Sequence, residues 1–197
     1  MTADDILWTA PHRFDLPPLV NYGYAGHATH LIRITVPKDS ASGSSVLLAA
    51  KASWLVCSDV CIAESAQLKL KLPIGSQAGG KDPADAALFS TARRELPIAA
   101  PAATAELQAG RVIIRLGREW GAALSRITSL TFFPYDEGGI DYASPQILAR
   151  TQAGIELAMK AGNRSQSLDA IRGVLIATED NGGQMTTVAF EIRAPRR

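Results

Sequence analysis

Apolar residues in this chain fall into short runs or strict alternation, with turn-forming residues between them. Residues 29–36 (THLIRITV), 45–50 (SVLLAA) and 53–57 (SWLVC) are such runs, divided by Pro37 and by Ser42-Gly43-Ser44-Ser45. They predict strands. Residues 66–72 (AQLKLKL) alternate, with Leu68, Leu70 and Leu72 on one face and Gln67, Lys69 and Lys71 on the other; this period of two predicts a half-buried strand. Strand signals resume at 104–108, 111–116, 127–133, 154–159, 173–178 and 185–192. Asp180-Asn181-Gly182-Gly183 predicts a hairpin turn between the last two, because Asn and Gly accept positive φ at little cost. One segment departs from this pattern. Asp82 suits a helix cap, Pro83 its first turn and Asp85 the positive end of its dipole, and Pro97 limits its far end. These residues predict a helix over 83–95.

Many short strands and one helix favour antiparallel β-sandwich architecture over a βαβ sheet. The Gly-rich polar stretch 75–82 (GSQAGGKD) and the extended stretch 97–103 (PIAAPAA) mark a change in organisation. The expected division is a cysteine-bearing β module over 1–74, a linker and helix over 75–103, and a second β-rich module over 104–197.

A length of 197 residues permits one large or two small domains. With 47% hydrophobic and 20% charged residues, the composition is that of a soluble globular protein. The formal net charge of +1 supplies no concentrated basic face for nucleic acid or an anionic membrane. No stretch approaches the roughly 18 apolar residues of a membrane span. The N-terminus, MTADDILWTAP, has no basic n-region, apolar core or small-residue cleavage site, so the chain as written carries no secretory signal.

The chain has two cysteines, Cys57 and Cys61, five positions end to end. In a straight strand they would stand about 13 Å apart, beyond disulfide reach. At the two ends of a three-residue hairpin loop their Cα atoms would face each other at about 4.5–5.5 Å, within reach. The flanking strand patterns and the intervening Ser58-Asp59 favour the hairpin. A five-residue ring stabilises a fold by only about 2 kcal/mol. Asp59 disfavours thiolate, which suits a pair that is attacked by a partner more than one that attacks. Three readings stay open on spacing alone: a redox pair, an inert hairpin staple, and a metal site. For the last, His27, His30, Met159 and Met185 would have to join the thiols around soft Cu(I). Two thiols alone do not close a tetrahedral zinc site. His12, after Pro11, is a weaker candidate still, and His27 and His30 flank a strand start as surface residues would.

The segment Trp54-Leu-Val-Cys57-Ser-Asp-Val-Cys61-Ile-Ala-Glu64 resembles the N-terminal periplasmic domain of the DsbD/ScsB family of thiol:disulfide interchange proteins, closest to its ScsB-like branch. The ordered succession Trp8-Thr-Ala-Pro11-His-Arg-Phe14, Val20-Asn21-Tyr22-Gly23-Tyr24, Phe132-Phe133-Pro134-Tyr135, Gly139-Ile140-Asp141, Ser144-Pro145-Gln146 and Gly173-Val174-Leu175 extends the likeness over nearly the whole chain. The resemblance implies an immunoglobulin-like antiparallel β-sandwich carrying the cysteine pair, followed by a second β-rich module. It implies that Cys57 and Cys61 cycle between dithiol and disulfide. A membrane-embedded thiol donor would reduce them, and they would reduce periplasmic thioredoxin-like or disulfide isomerase proteins. Neither a metal nor an organic cofactor is required. Against the family pattern, Ala63 replaces a usual proline, and the strands that precede the Trp8 segment are missing, which would leave an open sheet edge.

Around the pair, Tyr22, Tyr24 and Trp54 are candidates for an aromatic lid over the thiols, or else ordinary packed aromatics. Asp59 either tunes the thiols or fills a turn position that favours Asp. Glu64 reads as a solvated residue, and Tyr135-Asp136-Glu137 with Asp141 as an acidic loop without catalytic pairing.

Overall fold

The computed structural model describes residues 1–16, 19–58, 60–75 and 82–196. The expected linker over 75–82 lies outside them except for its two end residues. In chain order the strands of the first half are β1 (Thr2–Leu7), β2 (His12–Leu16), β3 (Leu19–Gly23), β4 (Leu31–Thr35), β5 (Ser45–Cys57) and β6 (Cys61–Pro73). Helix α1 (Pro83–Arg94) comes next. The second half holds β7 (Ile98–Ala99), β8 (Ala103–Gln108), β9 (Arg111–Leu116), β10 (Ile127–Pro134), β11 (Ile147–Thr151), β12 (Gly154–Lys160), β13 (Ala170–Asp180) and β14 (Met185–Pro195). The mainly β architecture is the one the sequence predicts; besides the helix of three turns, a single helical turn at Ala123–Arg126 and two 3-10 turns at Arg118–Trp120 and Ser165–Ser167 are additions to it. The helix begins as expected: the Asp82 carboxylate accepts from the Ala84 backbone N–H at 2.8 Å. Two predicted runs, 45–50 and 53–57, are one continuous strand, because Lys51-Ala52 carries no turn residue.

The chain folds into two compact units, Met1–Ile6 with Leu31–Thr91, and Leu7–His30 with Ala92–Arg197. Residues 7–30 thus belong with the C-terminal half, whereas the sequence pattern groups them with the cysteine segment.

In the first unit, β1 pairs with β4, and β5 with β6 along an antiparallel ladder from Ser45↔Pro73 to Cys57↔Cys61. The register puts Val46, Leu48, Ala50, Ala52, Trp54 and Val56 on one face with Ile62, Glu64, Ala66, Leu68, Leu70 and Leu72. The expectation of a half-buried β6 is corrected here: Leu68, Leu70 and Leu72 are 58%, 55% and 40% exposed. The alternation is real, but β5–β6 is a two-stranded ribbon, and one ribbon offers no second layer to bury its apolar face.

The second unit is a sandwich of two four-stranded sheets, ordered β10-β13-β14-β7 and β11-β12-β9-β8. Period-two burial fills the space between them. Phe132, Leu175 and Phe190 lie in register across β10, β13 and β14; Ala105, Ile114 and Leu157 do so across β8, β9 and β12. All six are buried in one core cluster. The predicted turn joins β13 to β14, with Gly182 and Gly183 at positive φ and the Asn181 N–H donating to the Gln184 carbonyl. Gly173 is required for a different reason, since a Cβ there would meet the Phe133 carbonyl oxygen at 2.1 Å. The β2–β3 hairpin belongs to this unit. Its Tyr22 ring meets Phe133 at 4.8 Å and Tyr142 at 5.1 Å, which buries Phe133 on the face of β10 opposite Phe132.

Candidate redox site

The hairpin predicted for the cysteines forms. The long β5–β6 ladder closes at Cys57↔Cys61, and the Ser58 N–H donates to the Val60 carbonyl inside the loop at 3.2 Å. Asp59 lies outside the described residues. The register brings the two Cα atoms to 4.1 Å, and the sulfurs are joined in a disulfide. Both cysteines are exposed. Around them the surface is apolar: Leu55, Val60 and Ile62 are 63%, 69% and 60% exposed, and Trp54 and Val56 are exposed as well. Trp54 sits three residues before Cys57 and donates its indole N–H to the Glu64 carboxylate across the ladder at 3.1 Å. Glu64, expected to be merely solvated, therefore orients an exposed aromatic beside the disulfide.

Tyr22 and Tyr24 belong to the second unit, with Trp8 and His30. Tyr22 accepts from the Gln146 amide at 3.4 Å, and burial raises its pKa above the usual phenol value. Gln146 also brackets the Phe132 backbone, accepting from its N–H at 2.7 Å and donating to its carbonyl at 2.8 Å. One side chain thus satisfies both backbone groups of Phe132 on the outer edge of β10. Tyr24 donates to the Thr9 carbonyl at 2.9 Å, and burial raises its pKa too. The structure brings the motifs around Trp8, Tyr22, Phe133 and Gln146 together within this unit, while Trp54 and the cysteines belong to the first unit. Nothing in the spacing along the chain signals that grouping, although the motifs themselves are visible.

Of the residues proposed for copper, His27 and Met185 are exposed, and Met159 is buried in the sandwich core. Among the described residues no group of three His, Cys, Asp or Glu side chains is placed to hold a metal ion. His30 is wedged between Trp8 at 4.8 Å and Tyr24 at 4.9 Å. Its Nδ1 is buried without a hydrogen-bond partner, and desolvation lowers its pKa below 6.5. The unfolded chain then takes up the proton more readily than the folded one, so stability is intact above pH 6.5 and is lost as the pH falls below it. Acidification from about pH 7.5 to about pH 5.5 is expected to lower the melting temperature of the wild type more than that of His30→Phe. Equal shifts in the two proteins would refute this.

An exposed disulfide across the end of a β-hairpin, in a mainly β protein, defines the class: a candidate thiol–disulfide exchange module. Residues 1–73 match the family described as thiol:disulfide interchange protein DsbD, N-terminal. Over that segment the likeness visible in the sequence is borne out. The fold resembles the crystal structure of the N-terminal periplasmic domain of ScsB from Proteus mirabilis, with a TM-score of 0.59 and 15% identity over 100% of this chain and 75% of that one. The search of curated proteins gives no match. Among the described residues no helix is long and apolar enough to cross a membrane.

Proposed function

We propose that Cys57 and Cys61 relay reducing equivalents in the periplasm, from a membrane-embedded thiol donor to oxidised thioredoxin-like or disulfide isomerase proteins. The observation that carries this reading is the exposure of both cysteines at the tip of a ribbon whose surrounding residues are apolar and accessible. A donor thiolate attacks one sulfur, the Cys57–Cys61 bond breaks, and its electron pair leaves on the other sulfur. The donor's second thiol resolves the mixed disulfide. Two electrons and two protons pass to the pair, and the donor becomes a disulfide. The reduced pair then repeats the exchange on its acceptor in the opposite sense. A five-residue ring contributes only about 2 kcal/mol through loop entropy, so its opening does not threaten the fold.

The deciding measurement is the reduction potential of the pair, obtained by equilibrating the purified chain in graded thiol–disulfide buffers. The expected value lies between roughly −180 and −270 mV, where thiol carriers operate. A value below about −300 mV would mark a structural staple and sink the carrier reading.

A further inference from the structure

The second unit carries a concave site that the exchange chemistry does not use. It is a cavity of about 240 Å³ lined by the rings of Trp8, Tyr22, Tyr24, Phe133 and Tyr135, with Pro11, Pro134 and Val174. Its floor is the face of the β10–β13–β14 sheet turned away from the sandwich core, where Phe133, Val174 and Glu191 lie in register. No charged side chain lines it. Tyr135 donates its hydroxyl proton to the Glu191 carboxylate at 2.5 Å, and Tyr24 donates its own to the Thr9 carbonyl. Both phenol oxygens therefore keep only lone pairs for a ligand. Burial, with the hydrogen bond to Glu191 and its charge, pushes the Tyr135 pKa upward. Of the nearby cations, Arg172 pairs with Asp136 at 2.6 Å, and Arg13 pairs with Asp15 at 2.9 Å while its guanidinium also faces the Tyr22 hydroxyl.

We infer that this cavity takes a guanidinium group, presented by an arginine side chain of a partner polypeptide. Electron-rich rings attract a cation held over them, and a carboxylate behind Tyr135 adds to the attraction. Guanidinium suits the site better than ammonium because it is flat, more weakly hydrated and stacks on rings. It also suits it better than a quaternary ammonium, since its N–H groups can satisfy the two phenol oxygens. At about 240 Å³ the site is smaller than the usual small-molecule pocket and matches one side chain.

The test is calorimetric titration of the full chain with N-acetyl-arginine amide, its citrulline analogue, tetramethylammonium, and a blocked Ala-Ala-Arg-Ala-Ala peptide. Saturable binding of the arginine amide below about 10 mM is expected, with the neutral citrulline analogue weaker by about tenfold. The peptide should bind at least as tightly as the amide. Glu191→Gln, which retains an acceptor for Tyr135, should weaken arginine binding about three- to tenfold, with the melting temperature held as the check on folding. The inference is overturned by citrulline binding as well as arginine, or by an unchanged affinity in Glu191→Gln. Tighter binding of tetramethylammonium would overturn the guanidinium assignment, and a peptide weaker than the free amide would overturn the polypeptide source.

Discussion

Replacing either cysteine with serine, Cys57→Ser or Cys61→Ser, is expected to reduce thiol–disulfide turnover by about a thousandfold or more while leaving the protein folded. A carrier of two electrons needs both sulfurs, one to enter the mixed disulfide and the other to resolve it. With one sulfur left, an oxidised donor or acceptor can still be captured, but the adduct cannot be released from within. The variants should therefore accumulate a covalent, reductant-sensitive adduct, visible as a mass increase on a non-reducing gel. The structural side of the expectation is equally definite. The disulfide closes a ring of five residues at an exposed hairpin tip, so its loss should cost about 2 kcal/mol at most. The sandwich core holds neither cysteine. Turnover retained in Cys57→Ser would show that electron transfer does not pass through this pair. Unfolding of both variants would instead identify the bridge as a staple, whatever its exposure.

The cysteine hairpin was legible in the sequence because its determinants are local. An apolar run before Ser58-Asp59-Val60 and an alternating strand after it mark a hairpin, and the register of that hairpin fixes the meeting of Cys57 and Cys61. The same holds for the β13–β14 turn at Asn181-Gly182 and for the cap at Asp82. The grouping of Trp8, Tyr22 and Tyr24 with Phe133 and Tyr135 was not legible, since those contacts join residues more than a hundred positions apart and no periodicity encodes them. The short strands β2 and β3 escaped for a related reason: their residues alternate poorly, and Tyr22 is held by Phe133, Tyr142 and Gln146 as well as by its own ladder. The reading of Leu68, Leu70 and Leu72 failed differently. Alternation records that a strand has an apolar face, and it cannot record whether a second layer exists to meet that face.

That distinction has a thermodynamic test. Phe132→Ala is expected to destabilise the second unit by about 3–5 kcal/mol. Phe132 is fully buried, stands in register with Leu175 and faces the opposite sheet, and removing its ring leaves a cavity between two four-stranded layers that cannot collapse freely. Its backbone N–H and carbonyl are both held by the Gln146 amide, in a strand paired along its length with β13, which further limits relaxation. Leu70→Ala is the matched control on the β5–β6 ribbon. With Leu70 55% exposed, the change should cost no more than about 0.5 kcal/mol. Chemical denaturation read through Trp120, which packs on Phe190 at 4.8 Å within the same core, separates the two in a Trp8→Phe, Trp54→Phe background. Unfolding of the ribbon itself is monitored by hydrogen exchange of the β5–β6 amides. A loss under about 1 kcal/mol for Phe132→Ala would mean that the two sheets do not form a close-packed core. A loss of about 2 kcal/mol or more for Leu70→Ala would mean that the apolar face of the ribbon is covered in solution, because only a buried leucine costs that much to truncate.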